Sequence, residues 1–224
     1  VQSLDLYDFY TTKIADCDHR LDQQFSSMKP RFDIEGEPPA PPTSRTKKNS
    51  NSKNQPSYNV RAHLVRILGI DLVDIIGISE SLAQTIISEI GTDMSRFPTS
   101  KNFCSWLGLA PHNDISGGKV LRSRVLKVHN RAGQALRQAA QSCSRSHSIF
   151  GAFYRARSAR SSSAEAVVAT AHKIARVIYH MLTCHEAFTP ESIRAFDQKR
   201  QQRELKHLHK RAKALGFILQ PMTA

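Results

Sequence analysis

The sequence predicts an all-α fold: a helical domain preceded by an arm helix and a Pro-rich, basic linker. Three observations predict it. Aromatic residues make up only 7% of the chain, and the apolar positions are mostly Ala, Ile, Leu and Val, a composition that favours helices over a β-sandwich. Apolar residues recur at helical spacing in three separate stretches of the middle region. Gly and Pro clusters fall between those stretches rather than within them. At 224 residues the chain has room for one or two domains.

Residues 1–30 form the arm. Leu4, Thr11, Asp18 and Phe25 fall on one heptad position, and Tyr7, Ile14, Leu21 and Met28 on the other. Spacings of three and four keep both sets on one stripe, which gives a coiled-coil-like helix. Thr11 and Asp18 interrupt the seam, so an amphipathic helix packed on its own domain is the alternative. Residues 31–59 form the linker. Pro38, Pro39, Pro41 and Pro42 are followed by Arg45, Lys47, Lys48 and Lys53 among Ser, Asn and Thr, a disordered basic tether with nothing to pack.

Residues 60–185 form the helical domain. Leu82, Ala83, Ile86, Ile87 and Ile90 share one helix face, and Gly91 stops it. Ala132, Ala135, Leu136, Ala139, Ala140 and Cys143 make a second face; Ala164, Val167, Val168, Ala171, Ile174, Ala175, Ile178 and Leu182 make a third. Between the first two, Gly108 to Gly118 reads as loop. Residues 186–224 read as a basic helix, ending at Gly216, with a tail. The sequence has no internal repeat.

Charge is the first functional clue. The formal net charge is +13. Residues 1–42 hold eight acids against four bases, net −4, which leaves +17 on the remainder. So much positive charge in one block points to a polyanion, usually nucleic acid. Cys17, Cys104, Cys143 and Cys184 are far apart, which indicates neither a zinc knuckle nor a disulfide framework. No run of 18 apolar residues and no secretory leader is present, so a cytoplasmic protein is expected.

Three constellations carry chemistry. Ile75-Ile76-Gly77-Ile78-Ser79 before the helix to Ile90 has the pattern of a helix-hairpin-helix turn. Gly77 would allow close approach of a phosphate and Ser79 would cap the helix; an ordinary turn between core helices is the alternative. Next, Ser116-Gly117-Gly118-Lys119 places a hydroxyl beside two glycines. A serine needs help to become a nucleophile, and Ser-Gly-Gly is also a common loop string. Finally, Lys119, Arg122, Arg124, Lys127, Arg131, Arg137 and Arg145 follow with no acid among them. Such a run is costly without a compensating anion, so phosphate contact is expected there.

At this point the residues resemble a family. Ile76-Gly77-Ile78, Ser88-Glu89-Ile90-Gly91, Ser95-Arg96-Phe97-Pro98, Trp106-Leu107-Gly108-Leu109-Ala110-Pro111, Ser116-Gly117-Gly118-Lys119, Asn130-Arg131-Ala132, Phe153-Tyr154 and His172-Lys173 resemble the C-terminal transposase domain of the insertion sequence 110 family, in the form of its eleven-eleven subgroup. The resemblance runs through residues 60–185.

It implies a bacterial DNA recombinase that works with a structured guide RNA, as a homo-oligomer through the arm. The family's nucleophilic serine falls on Ser116. Gly77, Ser79, Lys119, Arg122, Arg124, Lys127, Arg131 and Arg137 are the candidate nucleic-acid contacts. The resemblance also implies a divalent metal, magnesium, held by acidic residues of a RuvC-like domain. That domain precedes the coiled coil and is expected to be absent from this chain, which is then inactive alone. No metal ligand is expected among residues 1–42. The rival readings are a non-catalytic nucleic-acid-binding module and an inactive transposon remnant.

Overall fold

The structure, a computed structural model, describes residues 2–30, 56–125, 130–189, 202, 205 and 208–217. The chain divides into two compact units, residues 1–187 and 188–224. In the first, the elements in chain order are α1 (Gln2–Ser27), α2 (Val60–Leu68), α3 (Glu80–Ile90), α4 (Ser100–Trp106), β1 (Pro111–Ser116), β2 (Lys119–Val125), α5 (Arg131–Cys143), α6 (Ile149–Ser158) and α7 (Ser163–Cys184).

The helices of the domain begin where the sequence supplies a side-chain oxygen. Asn59, Ser79, Thr99, Asn130, Ser148 and Ser162 stand at the N-caps of α2 to α7. Each accepts the backbone N–H three residues on, at 3.0–3.3 Å. Each such cap contributes about 1 kcal/mol and fixes where the chain turns into helix.

α5 is the centre of the packing, with α3, α6 and α7 against it. Its buried face is built from small residues, Ala132, Ala135, Ala139 and Ala140, so neighbouring backbones can come close. Larger side chains fill the space beside it: Phe103, Leu107, Leu109, Leu136, Phe150, Ile174 and Ile178 are fully buried. Phe97 packs edge-on against Phe103, with centroids 5.1 Å apart, and its carbonyl accepts a hydrogen bond from Tyr179 Oη at 2.9 Å. α2 carries a buried cation. Arg61 is 6% exposed, and its guanidinium donates to Asp71 Oδ2 at 2.6 Å and Asp74 Oδ1 at 3.0 Å. A charge so buried is tolerated only because it is paired.

α1 is a single helix with no buried residue. Its last third docks on the domain. Asp18 accepts the Ser57 N–H at 2.8 Å, Asp22 bonds His63 Nε2 at 2.6 Å, and the Phe25 ring stacks on His63 with centroids 5.7 Å apart. Arg66 donates to the carbonyls of Phe25 and Ser26, placing a cation where the helix dipole is negative. The two seam positions therefore separate. Asp18 and Phe25 face the domain, while Tyr7, Ile14, Leu21 and Met28 stay exposed.

The mostly helical architecture agrees with the prediction, with one difference. Residues 111–118, expected as loop, and the start of the basic run to Val125 form an antiparallel hairpin. Most of the linker, residues 31–55, lies outside the described residues. Of the C-terminal helix, residues 208–214 are described as helical. It ends at Gly216, where Phe217 N–H reaches the Ala212 carbonyl at 2.8 Å and Gly216 N–H the Lys213 carbonyl at 3.2 Å, a Schellman closure.

Candidate nucleic-acid interface and nucleophile

Ser116 is the last residue of β1, at the mouth of a two-residue turn. Gly117 and Gly118 form that turn with φ of 55° and 76°. Positive φ at both central residues is what a type I′ turn demands, and Gly-Gly meets the demand without strain. A Cβ added at either glycine would meet nothing within 4 Å, so the tip stands in open space. The two strands pack chiefly on each other.

Strand alternation puts His112, Asp114 and Ser116 on one face of β1. Their ladder partners are Arg124, Arg122 and Lys119 in turn. A hydroxyl, a carboxylate and an imidazole thus share a ribbon face with three basic register positions. Asp114 sits among them, with Oδ1 3.6 Å from His112 Nε2 and Oδ2 4.0 Å from Arg124 Nε. Ser116 and Lys119 are both exposed and opposite each other. The register slips between Asp114 and Ile115, so Leu121 has no ladder partner and forms a bulge.

The remaining predicted contacts do not gather at this tip. Arg131 opens α5 and pairs with Glu89 of α3 at 3.6 Å, with most of its side chain exposed. Arg137 turns inward, and its Nη2 donates to the Gly108 carbonyl at 2.7 Å. It therefore serves the packing of the loop before β1. Lys127 lies outside the described residues, and Arg122 is placed by the backbone ladder alone. The run is free of acids in sequence but not in space, because Glu89 comes from another helix and Asp114 from across the hairpin.

Gly77 and Ser79 have structural work. Gly77 has φ of 100°, and a Cβ there would stand 2.4 Å from Cys143 Sγ and 2.6 Å from the Ala139 carbonyl oxygen. The close approach it permits is to α5, whereas the sequence pattern suggested a phosphate. Ile75 and Ile78 on either side are buried. Ser79 spends its hydroxyl oxygen on the Leu82 N–H. Glu80, in the first turn of α3, adds negative charge where a phosphate would have to come.

Other nucleophiles are unsuited. Burial pushes the Cys104 and Cys143 thiols up to about 11, and a buried protonated thiol is inert. Tyr154 Oη is hydrogen-bonded to Ser163 Oγ at 2.8 Å. Among the described residues no three His, Cys, Asp or Glu side chains come together as a metal site would require. Nor is any described helix long and apolar enough to cross a membrane.

Sequence reasoning missed the hairpin, the Asp114 and Glu89 partners, and the exposed pair Ile115 and Leu121. The Gly-Gly step between two β-compatible strings was the available signal for the first.

Comparison with known proteins closes on the same segment. The family described as Transposase IS116/IS110/IS902 family matches residues 71–155. No curated protein matches the chain.

Proposed function

Because residues 71–155 match that transposase family, we propose that the chain performs DNA strand exchange with Ser116 as nucleophile. The observation that carries this reading is the position of Ser116: inside the matched segment, exposed at a glycine turn, opposite Lys119 and two register steps from further bases. A phosphodiester reaches that hydroxyl without meeting a side chain at either glycine.

In this reaction the Ser116 hydroxyl gives up its proton as Oγ bonds to phosphorus. One bridging P–O bond of the DNA breaks, and the departing DNA hydroxyl takes up a proton. The phosphoserine link keeps the energy of the broken bond. A hydroxyl from a second DNA end then attacks that phosphorus and returns Oγ to Ser116. Lys119 and Arg124 hold phosphate oxygens and offset the negative charge that develops on them. The resemblance places a divalent metal on acidic residues of a RuvC-like domain, and no step is assigned to it.

A structured guide RNA is the second nucleic-acid partner in this reading, drawn to the same net positive charge. The exposed apolar residues of α1, Tyr7, Ile14 and Leu21, join two copies through the arm.

The test joins the chain to a RuvC-like domain and traps the covalent protein–DNA adduct on a denaturing gel. The adduct should map to the peptide holding Ser116 and vanish in Ser116→Ala. An adduct that survives Ser116→Ala, or maps to Ser123 or Tyr154, rejects this nucleophile.

A further inference from the structure

Two large apolar side chains are exposed in the hairpin that carries the nucleophile. Ile115, immediately before Ser116, is 63% exposed, and Leu121, the bulged residue of β2, is 72% exposed. Neither belongs to the core, which lies around α5. The bulge gives β2 one residue more than its partner strand needs, and that residue is a leucine at the tip.

We propose that Ile115 and Leu121 form a wedge that enters between stacked bases beside the phosphate addressed by Ser116. This rests on the reading of the hairpin as the DNA-facing element. A two-stranded ribbon is narrow enough to enter the major groove, about 12 Å wide. Proteins that kink DNA commonly do so by inserting apolar side chains at a base step. Lys119 and Arg124 lie within the same short ribbon, where they meet the backbone on either side of an opened step. The charge pattern favours a duplex over a protein occupant. Two apolar side chains are also far too small a patch for a stable protein interface, which buries roughly 1,200 Å² or more. Opening one step swings the adjoining phosphate away from the stack. That gives the Ser116 hydroxyl a line of approach opposite the leaving oxygen.

The experiment uses the full 224-residue chain and two fluorescein-labelled 30-base-pair duplexes, one fully paired and one with a central T·T mismatch. A mismatch removes part of the unstacking cost in advance. The unmodified chain should bind the mismatched duplex about tenfold more tightly, a fraction of the few kcal/mol that unstacking a step costs. The double variant Ile115→Ser/Leu121→Ser should keep its affinity for the paired duplex within about twofold and lose the preference. Leu121→Phe should keep the preference or enlarge it, which a merely structural role would not do. Equal affinity for both duplexes in the unmodified chain, or a preference that survives the double variant, overturns the wedge. Equal but strongly salt-sensitive binding sinks the wedge and leaves the phosphate reading standing. Failure to bind either duplex at 50 mM salt sinks both.

Discussion

The hairpin of β1 and β2 and the helix α5 are neighbours in sequence and equally basic, yet they use their cations in opposite ways. α5 gives its arginines to the protein: Arg131 reaches Glu89 and Arg137 holds the Gly108 carbonyl. The hairpin keeps Lys119 exposed beside Ser116 at a tip clear of the body. Positive charge alone therefore does not mark an interface. A basic residue drawn inward onto a carbonyl, as Arg137 is, is lost to an outside anion, whereas one that stays exposed, even beside a carboxylate as Arg124 is, can still meet one.

The sharpest way to break this comparison is at Ser116. In a protein competent for exchange, Ser116→Ala should abolish the covalent adduct while leaving nucleic-acid binding nearly intact, since alanine removes one hydroxyl and no charge. Ser123→Ala, in the same hairpin, should leave exchange detectable.

The next largest effect separates the two sets of cations. Six phosphate contacts make affinity fall about 10³-fold or more between 50 and 200 mM salt. Reversing Arg122, Arg124 and Lys127 to Glu should weaken binding strongly and lower the salt slope by about 0.9 for each phosphate that is no longer neutralised. Reversing Lys206 and Lys210 should do much less. Arg137→Ala should behave differently again, lowering stability by about 1–3 kcal/mol through an unpaired buried carbonyl and leaving the salt slope unchanged. Equal slopes for the Arg122/Arg124/Lys127 triple variant and the unmodified chain would refute the distinction.

Gly77→Ala tests the packing assignment. The added methyl would collide with Cys143 and the α5 backbone, and overpacking of this kind costs about 1–3 kcal/mol, with the positive φ adding roughly 1 more. Urea denaturation should show that destabilisation. A phosphate-binding glycine would instead lose affinity with stability unchanged.

The smallest effect is a pH dependence. Burial, and secondarily Arg176, hold the His172 imidazole below its ordinary value of 6.5. A folded value below the unfolded one means that the unfolded chain binds the extra proton first. Stability is thus fully present above about pH 6.5 and declines as pH falls through the histidine range. The urea midpoint should drop between pH 7.5 and pH 5, and His172→Phe should flatten that drop.

The helical half of the fold was legible because it is amphipathic. The apolar faces of residues 82–90, 132–143 and 164–182 became α3, α5 and α7, and Ser79 and Gly91 marked the ends of α3 as expected. The hairpin was not legible in the same way. Its strands are short and mostly polar, and two glycines read as loop unless their conformation is considered. The packing role of Gly77 was hidden for a related reason. Glycine announces a close approach but not what approaches, and here it is Cys143 and Ala139, more than sixty residues along the chain. The pairing of Arg131 with Glu89 escaped because charge was counted along the sequence rather than across helices.

The docking of α1 carries a mechanical consequence. From Asp18 onward the helix is held by two carboxylates, a ring stack and an arginine cap. From Asp18 back to Leu4 the helix continues for about 20 Å, at roughly 1.5 Å per residue, with no buried residue among those described. A helix is stiff over that distance, so whatever grips its exposed apolar side is kept at a set stand-off from the hairpin's domain. A small tilt at the root becomes a large sweep at the far end. Because the root is fastened by polar contacts, a single change such as Asp22→Ala should loosen the hinge without unfolding the beam.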